Sequence, residues 1–331
     1  MPCLRTCLAL VVSAALAGCS FLTGEPKRVE LQGALLLANA EYLAHDAFAL
    51  SRDDVLFGAA PLSHVFGMTG CMNATIAAGA TLALVRRFDP REALDVIERE
   101  GVTVFMGVPA MLAALLAAST ETGRAPQMRL AHVGAAPLPP ALKLDFEERF
   151  GATVLEGYGM TEAGGAVAVE HAGRPRKPGS VGTAAAGQEL RIADDGEVLV
   201  SCGGRWLATG DVGSLDDEGY LFLLDRKKDV ILRGGYTVYP RQVEEALLEH
   251  PSVREAVVVG VPHTTLGEEV AALVVLSDAC DPEELKRFAR ERVAAYAYPR
   301  LVAVVDDLPR TATGKVLRRA IDVRALAERL A

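Results

Sequence analysis

The chain has 331 residues, enough for about two domains, and half of them are hydrophobic while 23% are charged. This composition is typical of a globular enzyme and excludes a disordered chain. The formal net charge is -9 with both signs interspersed, so no basic stripe is present and we expect no nucleic-acid partner.

The first 19 residues resemble a bacterial lipoprotein signal. Arg5 precedes an apolar run over residues 8–16, and the LAGC segment that ends at Cys19 resembles a lipidation box. The run is too short to cross a membrane as a helix. The alternative is a spurious N-terminus, produced when a longer chain is truncated or frameshifted. We adopt this alternative because Cys19 falls against a phosphate-loop motif, and anchoring through Cys19 stays open.

Strand-like and helical patterns alternate between residues 89 and 155. Asp89 and Pro90 form a helix start, followed by apolar residues on one face. Strands are predicted at residues 102–106, 130–133 and 152–155, and helices at residues 111–118 and 142–150. This alternation predicts an α/β fold with a parallel sheet.

Two regions of different texture follow. Short β-type segments at residues 189–192, 197–200 and 220–223 are separated by Asp- and Gly-containing turns, which predicts a small antiparallel sheet or barrel. Beyond residue 229, helix starts at Pro240 and at Asp281-Pro282 alternate with strand patterns. This predicts a compact α+β domain of about 100 residues.

The segment EGYGMTEA at residues 156–163 is the first candidate site. It follows a predicted strand, and Gly157 and Gly159 permit a sharp turn at the strand end, where α/β sheets place ligands. Its aromatic ring can stack on a base, its hydroxyl can bond a phosphate and its carboxylate can hold Mg²⁺. The alternative is a Gly-rich surface loop.

Two further segments carry candidate chemistry. PRTATGKVLRR at residues 309–319 offers Lys315 to anionic oxygens, although a solvated basic tail is the alternative and the Gly spacing excludes a Walker loop. Between residues 208 and 240, Asp211 could bond ribose hydroxyls with support from Arg226. In isolation this stretch is also a charged turn between two domains.

Together and in this order, the three segments resemble the adenylate-forming superfamily of acyl-CoA synthetases, luciferases and peptide-synthetase adenylation domains. The resemblance covers about residues 20–322 and is closest to fatty-acyl and coumarate-type CoA ligases. PLSHVFG at residues 61–67, FDP to GVP within residues 88–109 and GAAPL at residues 134–138 support it.

The resemblance implies an architecture. A large AMP-binding domain at residues 20–224, with a parallel-sheet fragment and a small β-barrel-like subdomain, would be followed by a hinge at 225–228. An α+β lid domain at 229–331 would complete the chain. The family's N-terminal subdomain is absent here, so we expect an N-terminally truncated member.

The resemblance also implies roles for single residues. The residues expected at the nucleotide are Gly134, Ala135, Ala136, Glu156, Gly157, Tyr158, Asp211 and Arg226. Thr161 would contact the α-phosphate, Glu162 would hold Mg²⁺, and Lys315 would bridge the acyl carboxylate and the phosphate.

The remaining roles concern the acid, the lid and the thiol. His64 would lie at the mouth of the acyl pocket, although a lone histidine in an apolar run is more often structural. Lys228 matches the hinge about which the lid turns, and Gly234 and Gly235 would face the thiol substrate.

The implied reaction uses ATP and Mg²⁺ to join a carboxylic acid, expected to be a fatty acid, to CoA in the cytoplasm. The phosphate loop departs from the family pattern. Thr23, Gly24 and Lys27 match it, but Phe21 replaces a Gly whose small size lets backbone amides approach phosphates. The alternatives are an adenylation domain that loads a carrier protein and a non-catalytic remnant.

Overall fold

A computed structural model describes residues 29–310 and 316–328, and they form two units. The first unit comprises the described residues up to Thr209 together with Ser214–Leu223. The second comprises Gly210–Gly213 and the described residues from Leu224 onward. Each unit has its own sheet and core, so each is described by itself.

The first unit begins with five parallel strands. They are β1 (Val55–Gly58), β2 (Thr81–Leu84), β3 (Val104–Gly107), β4 (Leu130–Val133) and β5 (Thr153–Met160). The helices among them are α1 (Gly33–Tyr42), α2 (Ala74–Ala78), α3 (Pro90–Glu100), α4 (Pro109–Thr122) and α5 (Pro140–Phe150), and π-helical segments cover Leu43–Ala47 and Phe66–Asn73. The spatial order β2-β1-β3-β4-β5 with parallel pairing confirms the predicted parallel α/β sheet.

Helix α3 shows how the local sequence produces these elements. The Asp89 carboxylate accepts hydrogen bonds from the backbone N–H groups of Arg91 and Glu92, each at 3.0 Å. Pro90 supplies a φ suited to the first turn, and Gly101 ends the helix with φ 61°. The predicted helix start is therefore confirmed.

Helices cover both faces of the parallel sheet. Neighbouring residues of a strand point to opposite faces, so Leu56 and Phe57 of β1 belong to different buried clusters. Phe57 packs in the cluster that contains Phe146 of α5, and Leu56 in the cluster that contains Leu43 of the first π-helical segment. The strands are thus buried on both sides, as expected of a parallel sheet.

An antiparallel portion continues the same sheet. Its strands are β6 (Gly165–Val169), β7 (Ser180–Ala184), β8 (Glu189–Ile192), β9 (Glu197–Cys202), β10 (Arg205–Leu215) and β11 (Tyr220–Arg226), in the spatial order β5-β6-β7-β11-β10-β9-β8. The predicted short β segments and Gly-containing turns are confirmed. Strand β5 pairs parallel to β4 through Thr153 to Glu156 and antiparallel to β6 from Gly157 onward, so it joins the two portions.

The second unit has the predicted α+β composition. Its elements are β12 (Ile231–Arg233), β13 (Tyr236–Val238), α6 (Pro240–Leu248), β14 (Val253–His263), β15 (Gly267–Leu276), α7 (Pro282–Arg290), β16 (Leu301–Val304), a 3₁₀ turn (Arg318–Ala320) and α8 (Val323–Glu328). The sheet order is β13-β12-β15-β14, with β16 parallel to β15. Across both units, the described helices include none that is long and apolar enough to cross a bilayer.

Candidate active site

The segment 156–163 lies where the sheet changes from parallel to antiparallel. Glu156 is the last residue of β5 paired with β4, opposite Val133, and Gly157 is the first paired with β6, opposite Val169. Tyr158 pairs with Ala168, and its half-buried ring packs beside the core of the antiparallel portion. The segment therefore lies at the carboxyl end of a parallel strand, where α/β sheets place ligands.

The expected sharp turn at Gly157 and Gly159 was wrong, because both residues lie within β5. Each glycine instead makes room for a neighbour. A Cβ on Gly157 would lie 2.5 Å from His132 Cε1, and a Cβ on Gly159 would lie 2.1 Å from the Gly165 carbonyl oxygen. These two glycines therefore permit close packing of β4, β5 and β6, rather than a change of chain direction.

The turn comes later, at Thr161–Ala163, where one 3₁₀ turn places Thr161 and Glu162 between β5 and β6. The Gly164 N–H donates to the Thr161 carbonyl oxygen at 2.9 Å, and Gly164 adopts φ 73°. Both Thr161 and Glu162 are half-buried. A hydroxyl and a carboxylate thus follow one another in the turn directly after β5.

Two fully buried side chains hold this turn, and the sequence reasoning missed both. Asn39 Nδ2 of α1 donates to the Ala163 carbonyl oxygen at 3.2 Å, and Thr69 Oγ1 donates to the Gly164 carbonyl oxygen at 3.1 Å. The available signal was an Asn and a Thr within otherwise apolar segments, since buried polar groups need partners. Their hydrogen bonds fix the backbone that carries Thr161 and Glu162.

Gly134, Ala135 and Ala136 follow directly after β4, beside the end of the paired part of β5. Ala135 has φ 67°, a left-handed conformation that costs a non-glycine residue about 1 kcal/mol or more. A Cβ on Gly134 would lie 3.1 Å from the Gly157 carbonyl oxygen. The structure therefore brings residues 134–136 next to Gly157.

Glu156 belongs to a buried charge cluster that the sequence did not indicate. Lys143 Nζ of α5 lies 3.0 Å from Glu156 Oε1 and 2.9 Å from Glu170 Oε2. Glu170 Oε2 also accepts the Glu156 backbone N–H at 2.8 Å. One ammonium thus compensates two carboxylates and fixes the start of the candidate segment.

His64 lines a cavity of about 50 Å³ in the first unit, together with Tyr158. The Phe66 backbone N–H donates to His64 Nδ1 at 3.2 Å, so the neutral ring carries its proton on Nε2. His64 and Tyr158 therefore line the same cavity.

The second unit holds the predicted ribose pair. Arg226 Nε lies 3.2 Å from Asp211 Oδ1, and the Asp211 side chain is mostly buried while that of Arg226 is about half exposed. Lys228 is exposed in the turn that connects β11 and β12. In this turn the Asp229 N–H donates to the Arg226 carbonyl oxygen at 2.9 Å. Asp211 and Arg226 are thus brought together from positions 15 residues apart by the antiparallel strands β10 and β11.

Gly234 and Gly235 form the two-residue turn between β12 and β13. Their φ values are 57° and 86°, and Arg233 pairs with Tyr236 on either side. Positive φ at both central positions matches the tight hairpin turn that favours Gly-Gly. The Gly234 N–H donates to the Leu266 carbonyl oxygen at 2.8 Å, which holds the hairpin against the β14–β15 loop.

Several predicted residues lie outside the described ranges. They are Cys19, Thr23, Gly24, Lys27 and Lys315. The structure describes the residues on either side of the segment that contains Lys315. Arg310 and Val316 form an antiparallel bridge, and the Leu317 N–H donates to the Pro309 carbonyl oxygen at 2.7 Å.

A separate cluster in the second unit groups three potential metal donors, His250, Cys280 and Glu284, which their linear spacing had not indicated. The Ser252 N–H donates to His250 Nδ1 at 3.2 Å, so the neutral ring protonates Nε2, the nitrogen nearest Glu284. Metal-bound histidines instead donate a proton from the other nitrogen. Partial burial, with the charge of Glu284, raises the pKa of the Cys280 thiol, which opposes a thiolate ligand. We therefore assign no metal to this cluster.

The site in the first unit fits a nucleotide with a magnesium ion. Tyr158 offers an aromatic ring, Thr161 a hydroxyl, and the strained backbone at Ala135 a fixed edge beside them. Glu162 offers the carboxylate oxygens that Mg²⁺ prefers.

Known proteins resemble the chain over most of its length. The model of the AMP-binding enzyme family matches residues 23–212, and that of the AMP-binding enzyme C-terminal domain matches residues 242–315. The long-chain-fatty-acid–CoA ligase of Bacillus subtilis is 36% identical, with 90% of this chain and 59% of the ligase aligned. The 2-succinylbenzoate–CoA ligase of Geobacillus kaustophilus is 35% identical over 82% of this chain and 61% of that protein.

A solved structure extends the similarity to three dimensions. The o-succinylbenzoate coenzyme A synthetase of Bacillus subtilis, in complex with ATP and magnesium ion, superposes with a TM-score of 0.79 at 33% identity. The alignment covers 91% of this chain and 68% of that one. The chain thus spans about three fifths of the length of the first curated relatives. On the extent of these matches and the arrangement of residues 134–136 and 156–162, the chain belongs to the AMP-binding enzyme family.

Proposed function

We propose that the chain is an AMP-forming acid–thiol ligase. It joins a carboxylic acid to the AMP portion of ATP with release of pyrophosphate, and then transfers the acyl group to CoA with release of AMP. The observation that carries this proposal is the anchored turn at Thr161–Ala163, which holds a hydroxyl and a carboxylate beside Tyr158 at the end of β5. The family relationship supports the same reaction, and its relatives include ligases for fatty and aromatic acids.

A carboxylate resists attack by a thiol because it is anionic and has a poor leaving group. Transfer to AMP removes both obstacles, but the carboxylate and the triphosphate repel each other as they approach. In this proposal Thr161 bonds the α-phosphate, and Lys315 bridges the phosphate and the carboxylate. Glu162 would hold Mg²⁺, which would supply positive charge to offset the charge that develops on the phosphate oxygens. Tyr158 stacks on adenine, with residues 134–136 along its edge.

The remaining assignments concern residues of the second unit. We assign the ribose hydroxyls to Asp211, whose carboxylate Arg226 holds in place at 3.2 Å. Lys228 is the proposed hinge, and the Gly234-Gly235 turn is the proposed face for the thiol. These assignments support a reaction in the cytoplasm, where ATP and CoA are available.

Carboxylate-dependent exchange of labelled pyrophosphate into ATP tests the first half-reaction. We expect exchange with the wild-type chain and about a 100-fold loss in Glu162→Gln. The matched control is Glu148→Gln, an exposed carboxylate on α5, which should retain full exchange. Absence of exchange from a folded wild-type chain that binds AMP would instead identify a non-catalytic remnant.

The Lys315→Ala variant separates the two half-reactions. It should lose adenylation but still catalyse attack of CoA on supplied acyl-AMP, and equal loss of both steps would contradict the assigned role. Replacing CoA by a phosphopantetheinylated carrier protein in the second assay tests the alternative acceptor. Faster transfer to the carrier than to CoA would reassign the chain as a carrier-loading adenylation domain.

A further inference from the structure

A buried ion pair lies directly before the Gly234-Gly235 turn of the second unit. Arg233, the last residue of β12, donates two hydrogen bonds to Glu269 of β15, from Nε to Oε1 at 2.5 Å and from Nη2 to Oε2 at 2.9 Å. The two side chains are only 16% and 5% exposed. A two-point pair between a guanidinium and a carboxylate fixes the orientation of both groups, and burial keeps water from competing for them.

The carboxylate of this pair is itself held in place. Glu269 Oε1 also accepts the Val270 backbone N–H at 2.8 Å. Burial raises the pKa of Glu269, but the hydrogen bonds from Arg233 and the Val270 N–H, together with the charges of Arg233 and Arg300, outweigh burial and lower this pKa below its usual range. The carboxylate is therefore ionised at physiological pH, and the ion pair is formed there.

The strand that leads into the turn has little backbone pairing to hold it. β12 has three residues, and it pairs with β15 at Arg233, opposite Gly267. A second carboxylate of β15 supports the same strand, because the Leu232 N–H donates to Glu268 Oε2 at 2.7 Å. Side chains of β15 thus supplement a short ladder, and the Arg233 pair is the contact nearest the turn.

The turn has little rigidity of its own. Gly234 and Gly235 both adopt positive φ, and glycine moves among backbone conformations more freely than any other residue. Apart from its chain neighbours, no heavy atom of the described residues lies within 4 Å of the place where a Cβ on Gly235 would stand, so this side of the turn is open. The ion pair therefore fixes one end of a flexible and open turn.

Building on the proposed ligase function, we propose that Arg233 is a positioning residue for the second half-reaction. Its pair with Glu269 holds the Gly234-Gly235 turn in one conformation, and the thiol arm of CoA binds along the open side of this turn. A turn that is ordered in advance loses less conformational entropy when its ligand binds. In this role Arg233 acts on transfer to CoA and not on formation of the acyl adenylate.

Separate measurement of the two half-reactions tests this role. Pyrophosphate exchange across a panel of fatty and aromatic acids follows the first, and thioester formation from supplied acyl-AMP at varied CoA concentration follows the second. In Arg233→Gln we expect kcat/KM for CoA to fall by at least about tenfold, mainly through a higher KM, because a charge-assisted contact is lost. Pyrophosphate exchange should stay within about twofold of the wild-type rate.

Three further variants complete the set. Arg233→Lys keeps the charge but loses the two-point geometry, so its KM for CoA should lie between those of the wild type and Arg233→Gln. Arg241→Gln removes a different ion pair of the same unit, to Glu245 on α6 at 2.7 Å, and should behave as the wild type in both assays. If Arg233→Gln does not fold, Glu269→Gln should show the same selective loss.

Hydrogen exchange followed by mass spectrometry gives a readout that does not need catalysis. Peptides that contain Gly234 should exchange faster in Arg233→Gln, while peptides of β14 should keep the wild-type protection, because loss of the pair loosens the turn and not the sheet. Arg241→Gln should leave exchange at Gly234 unchanged. Wild-type exchange at Gly234 in Arg233→Gln would refute the anchoring of the turn.

The results separate the two proposals. Equal losses in both half-reactions, or an unchanged KM for CoA in Arg233→Gln, would overturn the role of Arg233 and leave the ligase function standing. No exchange with any acid from a folded wild-type chain would overturn the ligase function and, with it, the assignment of the turn to CoA.

Discussion

Replacement of Lys143 by Met should destabilise the first unit strongly. Lys143 is the one cation within 3.0 Å of both Glu156 and Glu170 among the contacts described, and the side-chain exposures of the three residues are 16%, 15% and 1%. At 3 Å and an effective dielectric constant of about 20, each ion pair is worth about 5 kcal/mol before desolvation is subtracted. The variant removes this ammonium from beside two carboxylates that are shielded from water, so we expect a net loss of about 3–5 kcal/mol.

Urea unfolding monitored by fluorescence of Trp206 measures this loss. Trp206 is the chain's single tryptophan and lies on β10 in the first unit, so its signal reports on the unit that contains Lys143. The expected result is a lower transition midpoint with an unchanged slope, because the folded surface is the same.

Lys177→Met is the matched control. Lys177 Nζ also contacts two carboxylates, at 2.6 Å from Asp216 and 2.7 Å from Glu218, but this cluster lies at the surface. Water compensates exposed charges, so the midpoint should change far less than in Lys143→Met. Equal losses in the two variants would refute the argument from burial.

A second-site change tests whether uncompensated charge is the cause. Glu170→Gln in the Lys143→Met background removes one of the two buried carboxylates and should restore part of the lost stability. If the double variant is no more stable than Lys143→Met, lost packing of the lysine stem explains the effect better than charge.

Three further outcomes follow from single residues. Burial raises the pKa of Asp54, but hydrogen bonds from Arg129 and other neighbours outweigh it and hold this pKa at about 2, below the value in the unfolded chain. The stabilisation that Asp54 contributes is therefore complete above pH 4 and is lost between pH 4 and 2. Asp54→Asn should therefore cost about 2 kcal/mol at pH 7 and flatten that acid limb in urea titrations, and an unchanged limb would contradict this. Because the pKa of His132 is about 4 in the folded chain, the wild type should lose stability as pH falls from 6.5 to 4, whereas His132→Phe should not; equal midpoint shifts in both would refute the burial argument. Gly159→Ala should weaken AMP binding in calorimetry, since the new Cβ would lie 2.1 Å from a backbone oxygen. Gly204→Ala is the control: Gly204 has a positive φ but no heavy atom near the new Cβ, so AMP binding should stay intact.

Much of the fold followed from local signals. Asp89, Pro90 and Gly101 mark the start and end of α3, and short apolar runs marked the three parallel strands β3, β4 and β5, while β1 and β2 were not predicted. These signals involve residues within a few positions of one another, where backbone preference and capping decide the structure. The Gly-rich segment 156–163, directly after the strand predicted at 152–155, also indicated where a parallel strand ends.

The turn geometry of that segment was not predicted. Gly157 and Gly159 suggested a bend, yet both continue β5, because the glycines yield space to His132 and to the Gly165 backbone. A glycine allows both a turn and a close approach, and only the position of neighbouring strands distinguishes them.

The amino-acid sequence alone therefore identified the candidate chemical groups. They are the aromatic ring, hydroxyl and carboxylate within residues 158–162, and the pair of Asp211 and Arg226. Only the tertiary structure showed what holds them. Asn39 reaches a carbonyl 124 residues away, and Lys143 joins the carboxylate of Glu156 on β5 to that of Glu170, which directly follows β6. Such contacts depend on which elements become neighbours in the sheet, and no local sequence pattern encodes a buried charge. The free-energy contribution of these contacts depends on their removal from water, which is a property of the packed molecule and not of the single residue.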